Sequence, residues 1–439
     1  MLSKANFPKR AVLGAGACLW LAGIWLAGYV ATQKDFSSIL LTVSVAFGGY
    51  ALLVYVSPAS GWSFALGLLA RIILIPAFPM LSDDIYRFYW DGQLALAGIS
   101  PYSILPEDAL RSGVSGVDYT LFSKLNSPSY YTVYPPVAQL YYVIAAGAGS
   151  IYGFAIWMKA AIVLTEGLAF GLLIRLAGNN RATTQYGVLY FLNPLVILEG
   201  TGNLHFEVVM VAFMALALHY YFDGSQKKSA AYLSVGIGTK LLPVMLMPWF
   251  LFSLIGRQRA MFFLVMAIIT TAIFWPVWSH GGIRGMLHST DLYFRKFEFN
   301  ASVYFLLREA GLRLTGYNLI AWIGPILASA VLLTNLRAAA SAQGRDGQDF
   351  FKYALLSWTV YLMLATTVHP WYVIPLVFLA SGTSCRFPVL WSFTAFFSYV
   401  HYDPLWASYE LWWLLLEYVS VTGLMAYELR KGGQTIHPA

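Results

Sequence analysis

The stretch AVLGAGACLWLAGIWLAGYVA at residues 11–31 sets the class of the fold, because it contains no charged side chain. A membrane-spanning helix needs about 20 mostly apolar residues to cross a hydrocarbon core of about 30 Å. Basic residues precede the stretch, as they precede the apolar part of a signal peptide, but that part is usually shorter. We therefore interpret residues 11–31 as a membrane span that stays in the protein.

The composition of the whole chain agrees with this interpretation. Of its 439 residues, 59% are hydrophobic and 11% are charged, and the mean hydropathy is +0.64. A soluble domain carries charge on about a quarter of its residues. Cys18 and Cys385 lie far apart, in or beside apolar stretches, which argues against a disulfide framework or a zinc cluster. The sequence predicts an all-α polytopic membrane protein that forms one integral membrane domain over residues 1–439.

Further apolar runs, separated by short polar breaks, indicate a bundle of about fourteen hydrophobic segments, several of them shorter than a full span. The predicted segments are 11–31, 37–56, 62–80, 154–177, 183–201, 206–222, 229–243, 244–256, 260–279, 318–337, 350–367, 371–383, 387–401 and 409–428.

The basic residues predict which side of the membrane each break faces, because cytoplasmic loops are enriched in Lys and Arg. If the N-terminus is cytoplasmic and the segments alternate, the short outer breaks hold only Lys34 and Lys240. The inner breaks then hold Arg175, Arg181, Lys227, Lys228, Arg257, Arg259, Arg337, Arg345, Lys352, Arg386, Arg430 and Lys431. We therefore predict cytoplasmic N- and C-termini. The same asymmetry explains the net charge of +7 without a nucleic-acid partner.

Two long segments, 81–153 and 280–317, are then predicted to be extracytoplasmic loops. Within the first, residues 136–152 are apolar but follow a proline pair, and a span here would invert the basic asymmetry of the following breaks. We interpret 136–152 as an interfacial helix. Five of the seven histidines fall at or beyond predicted outer ends, and they are His205, His280, His288, His369 and His401. A functional site is therefore expected at the outer surface.

The densest group of ionisable residues lies in the run SDDIYRFYWDGQLALAGISPY at residues 82–102. In a helix that begins near Asp83, four ionisable side chains lie within an arc of about 100°. They are Asp83, Asp84, Arg87 and Asp91. One carboxylate could act as a general base, and the guanidinium could bind a phosphate. The structural alternative is a helix start with acids at its cap, which leaves Arg87 and Asp91 unexplained.

Two further outer breaks carry ionisable candidates. The run LEGTGNLHFE at 198–207 contains Glu199, Asn203, His205 and Glu207, which could bind a sugar or help to deprotonate a hydroxyl. A plain polar turn is an equal alternative. In GIGTKLLPV at 236–244, Lys240 could meet a lipid phosphate or extend to the lipid headgroups.

Three aromatic-rich stretches complete the set of candidates. YYTVYPPVAQL at 130–140 contains Tyr134, and its alternative is an interfacial turn. DLYFRKFEFNAS at 291–302 contains Arg295 and Lys296, and its alternative is an amphipathic surface helix. ATTVHPWYVIP at 365–375 contains His369, and its alternative is a packed break closed by a proline.

Three ionisable residues, Arg71, Lys159 and Glu166, fall inside predicted spans and do not fit an outer site. Lys159 and Glu166 are seven residues apart on one helix face, so we expect them to pair. Charges within the membrane often mark a transport pathway. These residues are therefore the sequence feature that most favours a transporter.

The run 82–102, with its Asp-Asp, Tyr-Arg, Trp-Asp-Gly and Gly-x-x-Pro-Tyr elements, resembles bacterial polyprenol-phosphate-mannose-dependent mannosyltransferases of the GT-C fold. The runs at 134–140, 193–207, 239–244 and 291–302 resemble the same group, so the resemblance covers about residues 82 to 302. The mannosyltransferase of GPI-anchor synthesis is more distantly similar. This chain has adjacent Asp83 and Asp84 in place of Asp-x-Asp, which leaves open which of the two is the base.

The resemblance implies a GT-C-like bundle in a bacterial inner membrane, with the active site on the extracytoplasmic face. It implies that Asp83 or Asp84 deprotonates an acceptor hydroxyl, which attacks the anomeric carbon with inversion. Arg87, Lys240 and Arg295 or Lys296 are then expected to stabilise the departing lipid phosphate. Tyr134, Asp91, His205, Glu207 and His369 are the further candidates for substrate binding.

The expected partners are a polyprenyl-phosphate sugar donor, a lipid or glycan acceptor, and the bilayer. No cofactor is predicted, because cations can stabilise a phosphate leaving group without a metal, although the acidic cluster could accommodate a divalent ion. The rival hypotheses are a lipid-linked sugar flippase or secondary transporter, and a non-enzymatic membrane scaffold. A transporter should carry polar groups at mid-membrane and paired broken helices, whereas here the polar residues concentrate at one surface.

Overall fold

A computed structural model of the protein describes residues 7–279, 282–342 and 346–432. Helices account for 77% of the structure, and the described residues contain no strand, which confirms the all-α prediction. The α-helices are α1 Phe7–Tyr29, α2 Phe36–Val56, α3 Ser60–Leu74, α4 Asp84–Leu96, α5 Pro106–Arg111, α6 Tyr119–Phe122, α7 Pro136–Ala146, α8 Ile151–Ala177, α9 Arg181–Gln185, α10 Glu207–Phe222, α11 Gln226–Thr239, α12 Met247–Ser253, α13 Gly256–Ile273, α14 Trp275–Ser279, α15 Gly282–Arg295, α16 Val303–Thr315, α17 Ile320–Ser341, α18 Gly347–Leu364, α19 Ile374–Ala380, α20 Phe387–Thr394 and α21 Glu410–Gly432. Two π-helices cover Tyr186–Phe191 and Val196–Gly202, and short 3-10 helices cover Leu242–Leu246, Pro370–Val373, Ala395–Tyr402 and Ala407–Tyr409.

Five of the described helices are long and apolar enough to cross a membrane. They are Lys9–Tyr29, Phe36–Val56, Ile151–Ala177, Gly256–Ile273 and Ile320–Ser341. A sixth candidate combines Val196–Gly202 with Glu207–Phe222, which meet at an angle of 111°. These helices fit a multi-pass membrane protein, whereas the predicted count of about fourteen segments is not confirmed.

Proline explains why some predicted spans are divided. The predicted segment 183–201 consists of α9 and the two π-helices, which are separated at Asn193 and Pro194. Proline has no N–H to donate and cannot continue a helix from the preceding turn. The Asn193 side chain holds the break, because it accepts from the N–H of Leu195 at 2.9 Å and donates to Ser392 at 2.8 Å. π-Helical segments are rare in proteins, and those that occur are often found at functional sites.

The three ionisable residues predicted inside spans have partners within the protein. Arg71 and Glu166 form a buried bidentate ion pair, with nitrogen–oxygen distances of 3.0 and 2.9 Å. Lys159 Nζ donates to the carbonyls of Leu74 and Ala77 at 3.1 and 2.6 Å. The predicted pair between Lys159 and Glu166 is therefore wrong, because each charge finds its partner on or just after α3 instead of along α8. Since these charges are satisfied structurally, they no longer favour a transporter.

Breaks that the sequence assigns to the same side of the membrane contact one another. Among the outer breaks, the N–H of Leu81 donates to the Asn203 side chain at 3.1 Å. Among the inner breaks, the Ser60 hydroxyl donates to the Asn179 side chain at 2.7 Å. These two contacts agree with the predicted alternation, and the candidate site lies near Leu81 and Asn203, whereas the side of the membrane that each break faces stays a prediction.

The segment 81–153 contains α4 to α7. Within the predicted interfacial helix 136–152, the structure has the helix α7 over Pro136–Ala146, with 11 residues, and its position at the membrane interface stays a prediction. It packs closely on α4 at Gly92, where an added Cβ would lie 2.7 Å from the carbonyl oxygen of Tyr142. This close approach fixes α4, which carries the acidic cluster, against α7.

Candidate active site

The first turn of α4 positions the two adjacent acids differently. Asp83 is the N-cap residue, its side chain is exposed, and it does not cap the helix. Asp84 is the first helical residue, and its side chain is only 18% exposed. A hydrogen bond from the N–H of Asp84 to the Ser82 hydroxyl at 3.3 Å stabilises this start. The turn therefore directs Asp84 into the protein and leaves Asp83 at the surface.

Both carboxylate oxygens of Asp84 have neighbours from other segments. Asn126 Nδ2 donates to Oδ1 at 2.7 Å, and the Tyr134 hydroxyl donates to Oδ2 at 3.2 Å. His205 Nε2 lies 3.9 Å from the same Oδ2. Asp84 thus joins α4, the loop before α7 and the turn before α10, and its partial exposure leaves it accessible to a small substrate.

Asp83 differs from Asp84 in its electrostatics as well as in its contacts. Partial desolvation and then the neighbouring charge of Asp84 raise the pKa of the Asp83 carboxyl, while Lys34 opposes the shift. A raised pKa keeps Asp83 protonated at higher pH than an ordinary aspartate. Two adjacent acids in different environments can therefore take different roles.

The turn that carries His205 is held in an unusual backbone conformation. Leu204 has a φ of +67°, in the left-handed region that non-glycine residues seldom adopt. The Asn203 side chain fixes the turn, because it donates to the carbonyl of Leu198 at 3.0 Å and accepts from Leu81. Such strain costs about 1–3 kcal/mol and persists only where the surroundings impose it. It aims His205 at Asp84.

His205 is buried between an acid and an aromatic ring. Its Nδ1 lies 3.1 Å from both the backbone carbonyl oxygen and the Oε2 of Glu199. The imidazole stacks on Trp371 with ring centroids 3.6 Å apart. Glu199 is also fully buried, and its Oε1 accepts a hydrogen bond from the Tyr399 hydroxyl at 2.8 Å. The backbone and the carboxylate of Glu199 at Nδ1, together with the stacked ring of Trp371, therefore fix the orientation of the imidazole.

Glu207 and Lys240 form a second charged pair at the site. Lys240 Nζ lies 3.0 Å from Oε1 of Glu207, and the carboxylate is fully buried while the lysine is 20% exposed. Neither oxygen of Glu207 accepts a hydrogen bond from the described residues, so the pair is an ion pair at close distance with unused acceptor capacity. The same ammonium lies 5.7 Å from the ring centroid of Tyr134, whose hydroxyl reaches Asp84. Lys240 is thus the cation beside the acidic site.

Arg87 and Asp91 lie behind Asp84 and hold the loop that covers it. Arg87, which is 3% exposed, donates from Nε to Asp91 at 2.9 Å. It also donates to the backbone carbonyls of Ser127 and Tyr130 at 3.1 and 2.9 Å. Gln139 Nε2 donates to the other oxygen of Asp91 at 2.9 Å. These bonds fix the loop that supplies Asn126 and Tyr134 to Asp84.

His369 extends the aromatic stack away from Asp84. Its ring is parallel to Trp371 at 4.4 Å and stacks on Phe299 at 4.6 Å. Burial, followed by the charges of His205, Lys240 and His401, lowers the pKa of His369 to about 3. With a pKa this low, His369 is neutral at physiological pH and offers an aromatic surface.

The structure brings most of the predicted residues together but not all of them. Asp84, Tyr134, His205, Glu207 and Lys240 form one connected group, and Arg87 and Asp91 support it. Lys296 is exposed after the end of α15. The side chain of Arg295 and the whole of His280 lie outside the described residues.

Sequence reasoning missed three residues that the structure places in contact with the site. Asn126 and Gln139 lie in a stretch whose only strong local signal is the proline pair, which indicates a turn but not its contacts. Tyr399 is 200 residues from Glu199 along the chain, and no motif marks it. Only tertiary structure could reveal these contacts.

The sequence was also compared with known proteins. Residues 14–256, more than half of the chain, match the family described as alpha-(1->6)-mannopyranosyltransferase, N-terminal domain. The match includes all the residues of the connected group around Asp84 and ends before Arg295 and His369. It confirms the resemblance to mannosyltransferases and identifies the chain as a glycosyltransferase that acts on mannose. No curated protein matches the chain. The chain therefore belongs to the alpha-(1->6)-mannopyranosyltransferase family.

Proposed function

We propose that this enzyme transfers mannose from a polyprenyl-phosphate donor to an acceptor hydroxyl at the extracytoplasmic face of the bacterial inner membrane. The observation that carries the proposal is the arrangement at Asp84. A partly exposed carboxylate, held by Asn126 and Tyr134, lies beside a site whose cation is Lys240. A base and a cation so close together suit attack by a hydroxyl on a carbon that bears a phosphate leaving group.

In the proposed reaction Asp84 is the base. Its carboxylate takes the proton of the acceptor hydroxyl while the oxygen attacks C1 of the mannosyl group and the bond from C1 to the phosphate oxygen breaks. Inversion at C1 converts a β-linked donor into the α-linked product that the family description names. Asp83 is the weaker candidate, because it lies before the helix and its side chain faces outward.

Lys240 is the proposed contact for the departing phosphate. Its ammonium is partly exposed, and the buried carboxylate of Glu207 keeps it in place at 3.0 Å. Arg87 instead has a positioning role in this proposal, because a phosphate contact would compete with its bonds to Asp91 and the loop carbonyls. Lys296 and Arg295 remain candidates for the more distant part of the donor phosphate.

The unused acceptor capacity of Glu207 supports a role in sugar binding. A buried carboxylate oxygen without a hydrogen bond is costly unless a ligand supplies a donor. Mannose hydroxyls are such donors. The parallel rings of His369 and Trp371 supply flat surfaces beside His205, on which Trp371 stacks, and sugar rings commonly pack on such surfaces. We propose that no metal is required, because Lys240 already provides positive charge at the leaving group.

The side of the membrane is proposed from the basic residues. The inner breaks carry most of the Lys and Arg residues, and the end of the bundle with Asp84 is the opposite one. A lipid-linked donor suits an enzyme at this face, since its polyprenyl chain can lie against the apolar helices while the phosphate reaches Lys240.

The donor can be tested with purified protein in lipid nanodiscs. Radiolabelled mannose is supplied either as polyprenyl-phosphate mannose or as a nucleotide sugar, together with a panel of α-mannoside acceptors. We expect transfer from the lipid-linked donor, and a product whose new linkage is α-(1→6) by NMR. Transfer from the nucleotide sugar in lipid-free detergent, with no polyprenyl phosphate present, would contradict the proposal.

A further inference from the structure

Glu199, His205 and Asp84 form a line of ionisable groups that ends at the proposed base. Glu199 Oε2 lies 3.1 Å from Nδ1 of His205, and His205 Nε2 lies 3.9 Å from Oδ2 of Asp84. The side chains of Glu199 and His205 are 0% and 1% exposed, whereas that of Asp84 is 18% exposed. The line therefore runs from the protein interior to the accessible carboxylate.

The contacts of His205 determine which nitrogen carries the proton in its neutral form. The backbone carbonyl oxygen of Glu199, 3.1 Å from Nδ1, can only accept a hydrogen bond, and Oε2 of the same residue lies at the same distance without a hydrogen bond to the described residues. Nδ1 therefore carries the hydrogen, and Nε2 keeps its lone pair. Nε2 makes no hydrogen bond to the described residues, so its lone pair is available on the side of Asp84.

The remaining contacts keep this geometry rigid. Trp371 covers one face of the imidazole at 3.6 Å between ring centroids. The Tyr399 hydroxyl donates to Oε1 of Glu199 at 2.8 Å, which leaves Oε2 for His205. The left-handed Leu204 fixes the backbone immediately before His205. A ring held in this way can approach Asp84 but cannot rotate away without breaking the stack.

We propose that His205 removes the proton which Asp84 takes from the acceptor hydroxyl, and that Glu199 is the positioning residue that sets its tautomer. The inference rests on the proposed role of Asp84. After transfer, the acceptor oxygen is bonded to C1, the phosphate has left with its electron pair, and the proton is on Asp84. It then moves from Oδ2 of Asp84 to Nε2 of His205. The resulting imidazolium is paired with Glu199, and the proton returns to solvent when the products leave.

The relay has a physical purpose at this site. Bound donor and acceptor would cover the exposed part of Asp84, so bulk water could not take its proton. An adjacent neutral imidazole restores the carboxylate without solvent access. The 3.9 Å distance is longer than a hydrogen bond, and such contacts often tighten when substrates bind. Asp84 on α4 and Glu199 on its own segment lie 3.9 and 3.1 Å from the ring nitrogens of His205. Further out, Tyr399 donates to Glu199, the charges of His205, Lys240 and His401 act on His369, and those of Asp84 and Glu199 act on Tyr402.

The test is the pH dependence of kcat at saturating donor and acceptor. His205 accepts a proton only when it is neutral, so the wild-type rate should fall on the acid side as His205 becomes protonated. In His205→Gln, kcat at neutral pH should drop on the order of 10-fold to 100-fold, less than the loss of a directly positioned base, and the acid limb should change because only Asp84 then contributes to it. KM for the donor should change little.

Glu199→Gln provides a second variant that preserves an acceptor for Nδ1. The imidazolium then lacks its anionic neighbour, so the acid limb should move to lower pH while the protein stays folded. His219→Gln, on the last turn of α10 and remote from Asp84, is the matched control and should leave both kcat and the profile unchanged.

Two results would overturn the relay. One is a wild-type kcat in His205→Gln, and the other is a reduced kcat with the acid limb unmoved in both His205→Gln and Glu199→Gln. Activity of the wild type with another mannosyl donor, but not with polyprenyl-phosphate mannose, would reject the proposed donor instead. The comparison of variants would then use that donor, with the same two results counting against the relay.

Discussion

At the scale of single residues, substitutions at the ion pair between Lys240 and Glu207 allow effects on donor binding to be distinguished from effects on folding stability. Lys240→Met should weaken donor binding and raise KM, because the phosphate loses its cation. It also leaves a fully buried carboxylate without a counter-charge, which costs about 3–5 kcal/mol of unfolding free energy for a buried pair. We expect a lower thermal unfolding temperature together with the higher KM.

The double variant Lys240→Met/Glu207→Gln distinguishes these two effects. It should recover most of the unfolding temperature, because no charge remains buried, but it should not recover donor affinity. The matched control is Lys124→Met, at an exposed lysine over the ring of Tyr86. Recovery of donor affinity in the double variant would show that Lys240 does not contact the phosphate.

His369 makes a prediction about stability and pH. Burial lowers its pKa in the folded state from 6.5 to about 3. Between pH 6.5 and about pH 3, His369 binds a proton in the unfolded chain but not in the folded protein. The free energy of unfolding therefore decreases as the pH drops below 6.5. Thermal unfolding in detergent should therefore show a smaller loss between pH 7.5 and pH 5 for His369→Gln than for the wild type. Equal losses in the two proteins would contradict the assignment.

At the scale of elements, the bonds from α4 to the loop before α7 predict what Arg87 does. Arg87→Met should release the carbonyls of Ser127 and Tyr130, and hydrogen exchange in residues 123–134 should increase. Because this loop supplies Asn126 and Tyr134 to the base, kcat should fall while donor affinity changes little.

A matched variant, Asp91→Asn, keeps the shape of the partner of Arg87 but removes its charge, and it should loosen the same loop. Loss of donor affinity in Arg87→Met with unchanged exchange in the loop would instead support the direct phosphate contact that the sequence suggests.

At the scale of the whole molecule, the orientation in the membrane can be tested by cysteine labelling. The natural Cys18 and Cys385 are first replaced by alanine. Single cysteines are then introduced as Ser112→Cys, in the segment with Asp84, and Gln258→Cys, at the start of α13. In spheroplasts, an impermeant maleimide should label the first variant only. Labelling of the second variant alone would invert the proposed topology.

The sequence predicts the helices of this protein well but does not predict the contacts between distant segments. Long apolar runs such as 11–31 predict helices well, because lipid leaves a spanning backbone few other ways to satisfy its hydrogen bonds. The helical period places Asp84, Arg87 and Asp91 on one face of α4, but the prediction is wrong for Asp83, which precedes the helix and lies at the surface. The pairing of Arg71 with Glu166 and the contact of Tyr399 with Glu199 depend on packing between distant segments. Local patterns contain no information on such contacts.

The central claim is that Asp84 is the base of a mannosyl transfer from a lipid-linked donor. The most direct measurement is the kcat of Asp84→Asn and Asp83→Asn with polyprenyl-phosphate mannose, in folded protein whose donor binding is measured in parallel. We predict that Asp84→Asn lowers kcat by about 10²–10⁴-fold with nearly unchanged donor binding, and that Asp83→Asn has a much smaller effect. Near-normal turnover of Asp84→Asn, or a larger loss in Asp83→Asn, would contradict the assignment.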